Sequence, residues 1–494
     1  MPWIPLLFSL AMAAETLPFS FHLFSEPHNL DPQMTHSASG NYLFYNIYRG
    51  LYRFDSDRGL IPDGADKCEL SGLNLTCKLR SRKWSNGAPI TADDYVKSFQ
   101  RLINPKLSSP QADVLFSLKN ARSIWSGKLK PESLGAKAVD ASTLRLELEF
   151  SDQEILFRLI HPALSPLPPG GFLPKESAAE QVTSGVYQIK EWRSGHQIQL
   201  RPNNGYDDRK DRPNLVVYFL DNDSTALRLY ELGKMTFLRR VTAGEIPRLR
   251  SKKEFHQVPM ARFDYVGFGP SLVKYPNLRA ALVRAVDFKL FLKLFDTRSP
   301  PGCPSFPPQF MDKGFCLKPD LDKAKSLAKD TKWPERLEFQ YSLMGGDDIA
   351  RAAEWFQGQW KKNLGHSVEL RSQEQGVYLR TLKADPPDIF RKGVSLDRPT
   401  CLAALEIFTK GQSENYIRLD DSRYDQLVQQ LAEATPKDRP RKCREATEYL
   451  FNTNRLIPLG EMHFSVMAKP GFVGWRLNSL NQLDLTDLRR TGQK

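Results

Sequence analysis

Apolar and polar positions repeat along this chain with two different periods. Residues 143–150 (TLRLELEF) alternate strictly, putting Leu144, Leu146 and Leu148 on one face, the pattern of a half-buried strand. Residues 66–80 read as two strands around Ser71-Gly72, and Trp84-Ser85-Asn86-Gly87 reads as a turn. Thr91-Ala92-Asp93-Asp94 then opens an amphipathic helix, with Thr91 as N-cap and Asp94 at the capping-box acid position. Tyr95, Phe99 and Leu102 supply its apolar face. The Pro-rich stretch 161–174 is loop, a natural place for the chain to pass between domains.

Beyond it, the pattern predicts strands near 186–192, 197–201 and 215–220, a helix from about Ser224, and one long helix over 277–295. A helix at 347–364 leads through Gly365 into a strand at 367–372. Helices at 421–434 and 437–452 give way to strands at 456–468. Both element types are mixed throughout and no repeat is seen, so the class is α/β or α+β with more than one lobe.

Length changes that picture little: 494 residues suit two or three domains. Charge adds a question, since 70 Lys+Arg against 57 Asp+Glu leave +13. The basic residues are scattered, with only short clusters such as Lys252-Lys253 and 439–444, so no nucleic acid partner is expected. No apolar run reaches the ~20 residues that cross a bilayer. Residues 1–14 (MPWIPLLFSLAMAA) are apolar and end in small residues, with Ala11-Met12-Ala13 placed like a secretory cleavage site. No Lys or Arg precedes Arg49, so either the true start lies upstream or export relies on the amino terminus alone, with a buried N-terminal strand or helix as the alternative reading. No Cys follows, so a lipid anchor is unsupported, and the reading is of an exported, soluble protein.

The six cysteines fit export. Nearest-neighbour pairing gives Cys68/Cys77, Cys303/Cys316 and Cys401/Cys443, one of fifteen connectivities, with free buried thiols as the alternative. Catalytic signatures are missing: there is no Gly-x-Ser-x-Gly, His-Glu-x-x-His, P-loop or dinucleotide glycine motif. The eight histidines match no metal-ligand spacing. The pairs Asp93-Asp94, Asp347-Asp348 and Asp420-Asp421 fall at predicted helix starts, where capping explains them. No enzyme activity, metal or cofactor is therefore expected.

Three stretches carry a more specific signal: Glu26–Pro32 (EPHNLDP), Asn46–Tyr52 (NIYRGLY) and 77–102 (CKLRSRKWSNGAPITADDYVKSFQRL). They resemble the family 5 extracellular solute-binding proteins, the peptide and oligopeptide binders of ABC importers, with Lys83–Pro89 and Thr91–Tyr95 matching nearly residue for residue. Val182–Tyr187 followed by Trp192, Pro276–Leu282 with Asp287, and Trp360–Gly365 with Val368 and Leu370 resemble later motifs of the family in the same order. The resemblance implies an α/β, two-lobed periplasmic-binding-protein fold with mixed sheets, an extra small domain and a ligand cleft between the lobes. It places a first lobe at 15–52, 166–261 and 466–494, the small domain at 53–165 and a second lobe at 262–465, with crossings near 262 and 465. It implies a periplasmic, monomeric protein that captures peptides without catalysis and delivers them to an inner-membrane ABC permease.

The ligand-contacting stretches depart from the family. Its peptide binders hold the peptide amine on an Asp in a loop that corresponds here to Val394–Thr400. An acid suits that task because an ammonium in a dry cleft must be paired. Four residues before Pro399, where that Asp is expected, stands Ser395. Asp397 either takes over the anchoring or pairs with its neighbour Arg398. Arg391 and Lys392 make the loop more cationic than usual, which fits an anionic or carboxylate-bearing ligand unless they face solvent. By the same resemblance His36, Ser37, Tyr42, Tyr378 and Arg380 are further cleft candidates, against packing or exposure. The rival expectation keeps the fold and changes the ligand to a non-peptide or anionic solute, or the role to a ligand-sensing receptor component.

Overall fold

The computed structural model describes residues 18–35, 38–295, 318–342 and 347–491. The signal-like segment 1–14, His36, Ser37 and the Cys303/Cys316 pair lie outside the described residues.

A four-stranded sheet runs in the order Phe19–Leu23, Leu215–Phe219, Gln197–Pro202, Tyr187–Arg193, its first pair parallel and the others antiparallel. Phe19, Phe21, Ile198, Leu200, Leu215 and Val217 all point into one core, which the chain completes with Leu477, Leu483 and Leu485 from its far end. A second, antiparallel four-stranded sheet (Ala65–Ser71, Asn74–Leu79, Thr143–Glu147, Ala136–Asp140) has its own core against the helix Ala92–Ile103. The expected alternation holds there, with Leu144, Leu146 and Leu148 essentially shut off from solvent. The capping box is present: the Thr91 N–H donates to Asp94 Oδ2 at 2.8 Å, and Tyr95, Phe99 and Leu102 are buried. The Trp84–Gly87 turn is pinned from outside itself, because Lys83 N–H donates to Gly205 C=O and Ser85 N–H to Thr183 C=O.

A five-stranded mixed sheet orders Glu369–Gln373, Glu338–Ser342, Ile389–Ser395, Arg262–Phe268 and Leu456–Pro458. Helices pack on both its faces in two further cores. The long helix expected over 277–295 is instead two, Pro276–Arg284 and Phe288–Leu294. Asp287 causes the break: it leaves helical geometry and its carboxylate accepts from Leu290 N–H at 3.0 Å, capping the second helix.

A three-stranded antiparallel sheet links these parts, with His463–Ala468 between Phe237–Leu238 and Phe255–Pro259. The chain therefore leaves this sheet for the five-stranded one at 259–262 and returns at 458–463. The two passages lie side by side, with Met260 N–H donating to Met462 C=O at 2.8 Å. Cys68–Cys77 bridges a cross-strand pair, and Cys401–Cys443 joins the helices Cys401–Leu405 and Arg439–Asn452.

Candidate functional site

A cavity of about 580 Å³ opens beside the double passage. One wall comes from Phe24 and the segment 239–246, the other from Arg262, Asp264, Tyr378 and 391–393, and the passages supply Met260 and 461–465. Among the described residues its lining has five cationic side chains, Arg239, Arg240, Arg262, Arg391 and Lys392, against the carboxylates Asp264 and Glu461.

Asp264 organises the second wall. Its side chain is fully buried and accepts from Arg262 at 2.5 and 3.1 Å, with an Arg391 nitrogen 3.3 Å away. Burial alone would raise its pKa, but the charges of Arg262 and then Arg391 more than offset this and hold it below the ordinary aspartate range. Gly393, directly across the ladder, is what leaves room: a Cβ there would sit 2.0 Å from an Arg262 nitrogen and 2.2 Å from Asp264 Oδ1. Lys392 is placed 3.6 Å from Glu414, with its ammonium over the Tyr416 ring, and burial lowers its pKa.

The first wall is built differently. Arg240 lies 3.6 Å from Asp223, whereas Arg239 has no ion-pair or hydrogen-bond partner among the described residues. Its guanidinium stacks over Phe24 at 4.3 Å and Tyr42 at 5.0 Å, and desolvation lowers its pKa. His22, on the strand Phe19–Leu23, is wholly buried with both ring nitrogens unpartnered among the described residues. Burial first, and the Arg239 charge second, bring its pKa down to about 3, so it is neutral.

Of the residues singled out in the sequence, Tyr378 and Arg391 line the cavity. They are joined to each other, since the Tyr378 hydroxyl donates to the Arg391 C=O at 2.7 Å. Tyr42 stands behind the lining, beneath Arg239, its hydroxyl donating to Asn481 Oδ1 at 2.6 Å. Arg380 and Ser395 are exposed and lie off the lining. Asp397 also lies off it: the carboxylate is ion-paired with Arg398 at 2.8 Å and lies 3.7 Å from Arg158. Arg398 is itself buried, donating through Nε to Glu154 at 2.8 Å and through Nη2 to Glu406, so the loop is tied to the unit carrying Glu154.

Arg239, Arg240, Arg262, Asp264 and Glu461 were not reached from the sequence. One available signal was RFDYVGF at 262–268, where Arg262 and Asp264 share a face of an otherwise apolar strand. Another was the Arg239-Arg240 doublet, just after the family's Gly-Glu-Ile-Asp step has become Gly233-Lys234-Met235-Thr236.

The model of the bacterial extracellular solute-binding proteins, family 5 Middle, matches residues 60–416. Curated relatives include the probable deoxycholate-binding periplasmic protein YgiS of Escherichia coli K12, 28% identical, with 93% of this chain and 91% of that one covered. The periplasmic oligopeptide-binding protein OppA of Salmonella typhimurium is 26% identical over 91% of this chain and 88% of its own. Among solved structures, the murein tripeptide-binding protein MppA in its unliganded open form superposes with a TM-score of 0.82 at 24% identity, covering 97% of this chain and 98% of that one. Listeria monocytogenes OppA bound to peptide gives 0.74 at 20% identity, over 96% and 99%. The sheets joined by two adjacent passages with a cavity beside them are thus a two-lobed binding-protein fold, and the chain belongs to the bacterial extracellular solute-binding proteins of family 5.

Proposed function

We propose that this protein is the periplasmic substrate-binding component of an ABC importer, capturing a short peptide between its lobes and delivering it to an inner-membrane permease. The cavity at the double passage carries the reading: its walls belong to different sheets that two adjacent chain passages connect, so a hinge there would enclose a solute from both sides. We place the lobe boundaries at 262 and 465, with 53–165 as the added small domain, and take the protein to act as a monomer without catalysis. YgiS and the Salmonella OppA are periplasmic by name, and among the described residues no helix is long and apolar enough to cross a membrane. Of the original candidates, Tyr378 and Arg391 are proposed as direct contacts, with Tyr42 as support.

The charge balance favours a second reading, an amphipathic non-peptide acid. Asp264 already faces two cations and Glu461 lies 3.6 Å from His463, so two carboxylates stand among five cations, which favours an anionic group over a peptide amine. Apolar side chains such as Met260, Met462 and Phe464 would receive a hydrocarbon body. The similarity to YgiS, named as probably deoxycholate-binding, points the same way. Mass spectrometry of small molecules released on denaturing protein purified from its native periplasm separates the two. Mixed short peptides support the first, a single acidic non-peptide species supports the second, and a protein that carries neither and gains no thermal stability from either class refutes both.

A further inference from the structure

Four of the five cations around the cavity are answered by a carboxylate. Arg262 and Arg391 share Asp264, Arg240 faces Asp223, and Lys392 faces Glu414. Arg239 is the exception among the described residues. It is only 8% exposed, yet it makes no ion pair or hydrogen bond there, and its Nε is buried without an acceptor. Burying a charge is costly unless it is paired; Asp223, the carboxylate whose charge reaches Arg239, is ion-paired with Arg240 instead, and the buried His22 is neutral. The two rings hold the guanidinium plane in place, so its orientation does not depend on a polar partner. Nε is the sealed nitrogen, and the terminal nitrogens keep access to the cavity that Arg239 lines. A planar two-donor edge matches a carboxylate, which accepts two parallel N–H bonds.

We infer that Arg239 is the seat of a single carboxylate of the bound solute, held against the Phe24–Tyr42 wall, and that it sets a preference for acids over their amides. This rests on the solute-binding reading and names the chemistry that reading leaves open. Each of the other cations already faces a carboxylate, Arg262 and Arg391 sharing one, so a second negative group on the ligand gains less there than the first does at Arg239, and the class is a monocarboxylate with a largely apolar body. Peptides meet that description through their C-terminus and non-peptide amphipathic acids through their headgroup.

The test uses acid and amide pairs on the whole protein: trialanine with its C-terminal amide, and deoxycholate with its primary amide, measured by calorimetric titration and thermal shift. In the wild type at least one acid should bind about 30-fold tighter than its amide, the size expected for one charge-assisted bidentate contact. Arg239→Gln should remove that preference, weakening the acid about 30-fold and leaving the amide within about threefold, while Arg239→Lys should restore part of it. The ligand-free melting temperature of Arg239→Gln should equal or exceed the wild type's, because an unpaired buried charge is gone, and this separates lost binding from lost folding. Acid and amide weakened equally in Arg239→Gln, or a wild type that binds both forms alike, overturns the seat and leaves the solute-binding reading standing. A folded wild type that binds none of the four overturns that reading and the seat with it.

Discussion

Replacing Asp264 by Asn keeps the shape of the side chain and removes the one charge that lets two arginines share a buried wall. Its carboxylate has no solvent exposure, touches Arg262 at 2.5 and 3.1 Å, and lies 3.3 Å from Arg391. Removing one partner of a buried pair costs about 3–5 kcal/mol. Arg262 is 29% and Arg391 13% exposed along the side chain, so water takes up part of the orphaned charge, and a loss below that range, about 2–3 kcal/mol, is expected. For a cooperative unit of lobe size each kcal/mol moves the melting temperature by ~2–4 °C, so the transition carrying the five-stranded sheet should fall by about 5–10 °C in calorimetry at pH 7. The pH dependence has a definite sign. The folded pKa of Asp264 is depressed, so its contribution is complete above the unfolded value near ~3.9 and is lost as pH falls through the folded value. Wild type and Asp264→Asn should therefore converge in acid. Adding Arg262→Gln to Asp264→Asn should recover stability, because one stranded charge leaves. A variant as stable as wild type, or a double variant whose losses simply add, refutes the triad as the organiser of this wall.

Three further outcomes can be checked by denaturant titration. His22 is held neutral down to about pH 3, so the unfolded chain takes up the extra proton and stability falls with pH below ~6.5, by about 2 kcal/mol at pH 5; His22→Leu should flatten the slope between pH 6.5 and 4, and an unchanged slope refutes the assignment. On a chain-entropy basis the Cys401–Cys443 link, 42 residues apart, is worth about 4 kcal/mol and Cys68–Cys77, nine apart, about 2.5; paired Cys→Ser variants should rank in that order, and the reverse order would sink the entropic account. Arg398→Met strands buried Glu154, whose pKa burial already raises against the pull of Arg398. It should cost about 3–5 kcal/mol, and Arg398→Met with Glu154→Gln should cost less than Arg398→Met alone; a larger loss in the double variant contradicts this pairing.

What the sequence reveals depends on how far apart the interacting residues lie. The strand at 143–147 and the Thr91–Asp94 cap were legible because alternation and a three-residue spacing are local facts. The break at Asp287 was hidden because an Asp within an amphipathic pattern reads equally well as a surface residue. Residues 456–468 read as strands, but that they belong to two sheets depends on partners around 260, some 200 positions earlier. The same holds at the cavity. Tyr378 and Arg391 were reached through their place in the family pattern, whereas Arg398, besides its local partners Asp397 and Glu406, is held by Glu154, 244 residues away, which no local pattern shows.

That division has a physical origin. The motifs that identify the family, from EPHNLDP and Lys83–Pro89 to Trp360–Gly365, put no side chain into the cavity lining. They do structural work instead: the Trp84 turn is hydrogen-bonded to segments at 183 and 205, and Trp360 Nε1 donates to the Leu282 C=O at 3.0 Å between two helices. Such contacts are satisfied by one geometry whatever the ligand, so they constrain the fold and not the solute. The lining answers to the ligand alone, and there Arg239, Arg262, Asp264 and Arg391 have a charge balance unsuited to a free amine and suited to a carboxylate. Similarity along the whole chain therefore carries the fold and the mode of capture to this protein, while the ligand has to be argued from the electrostatics of the cleft.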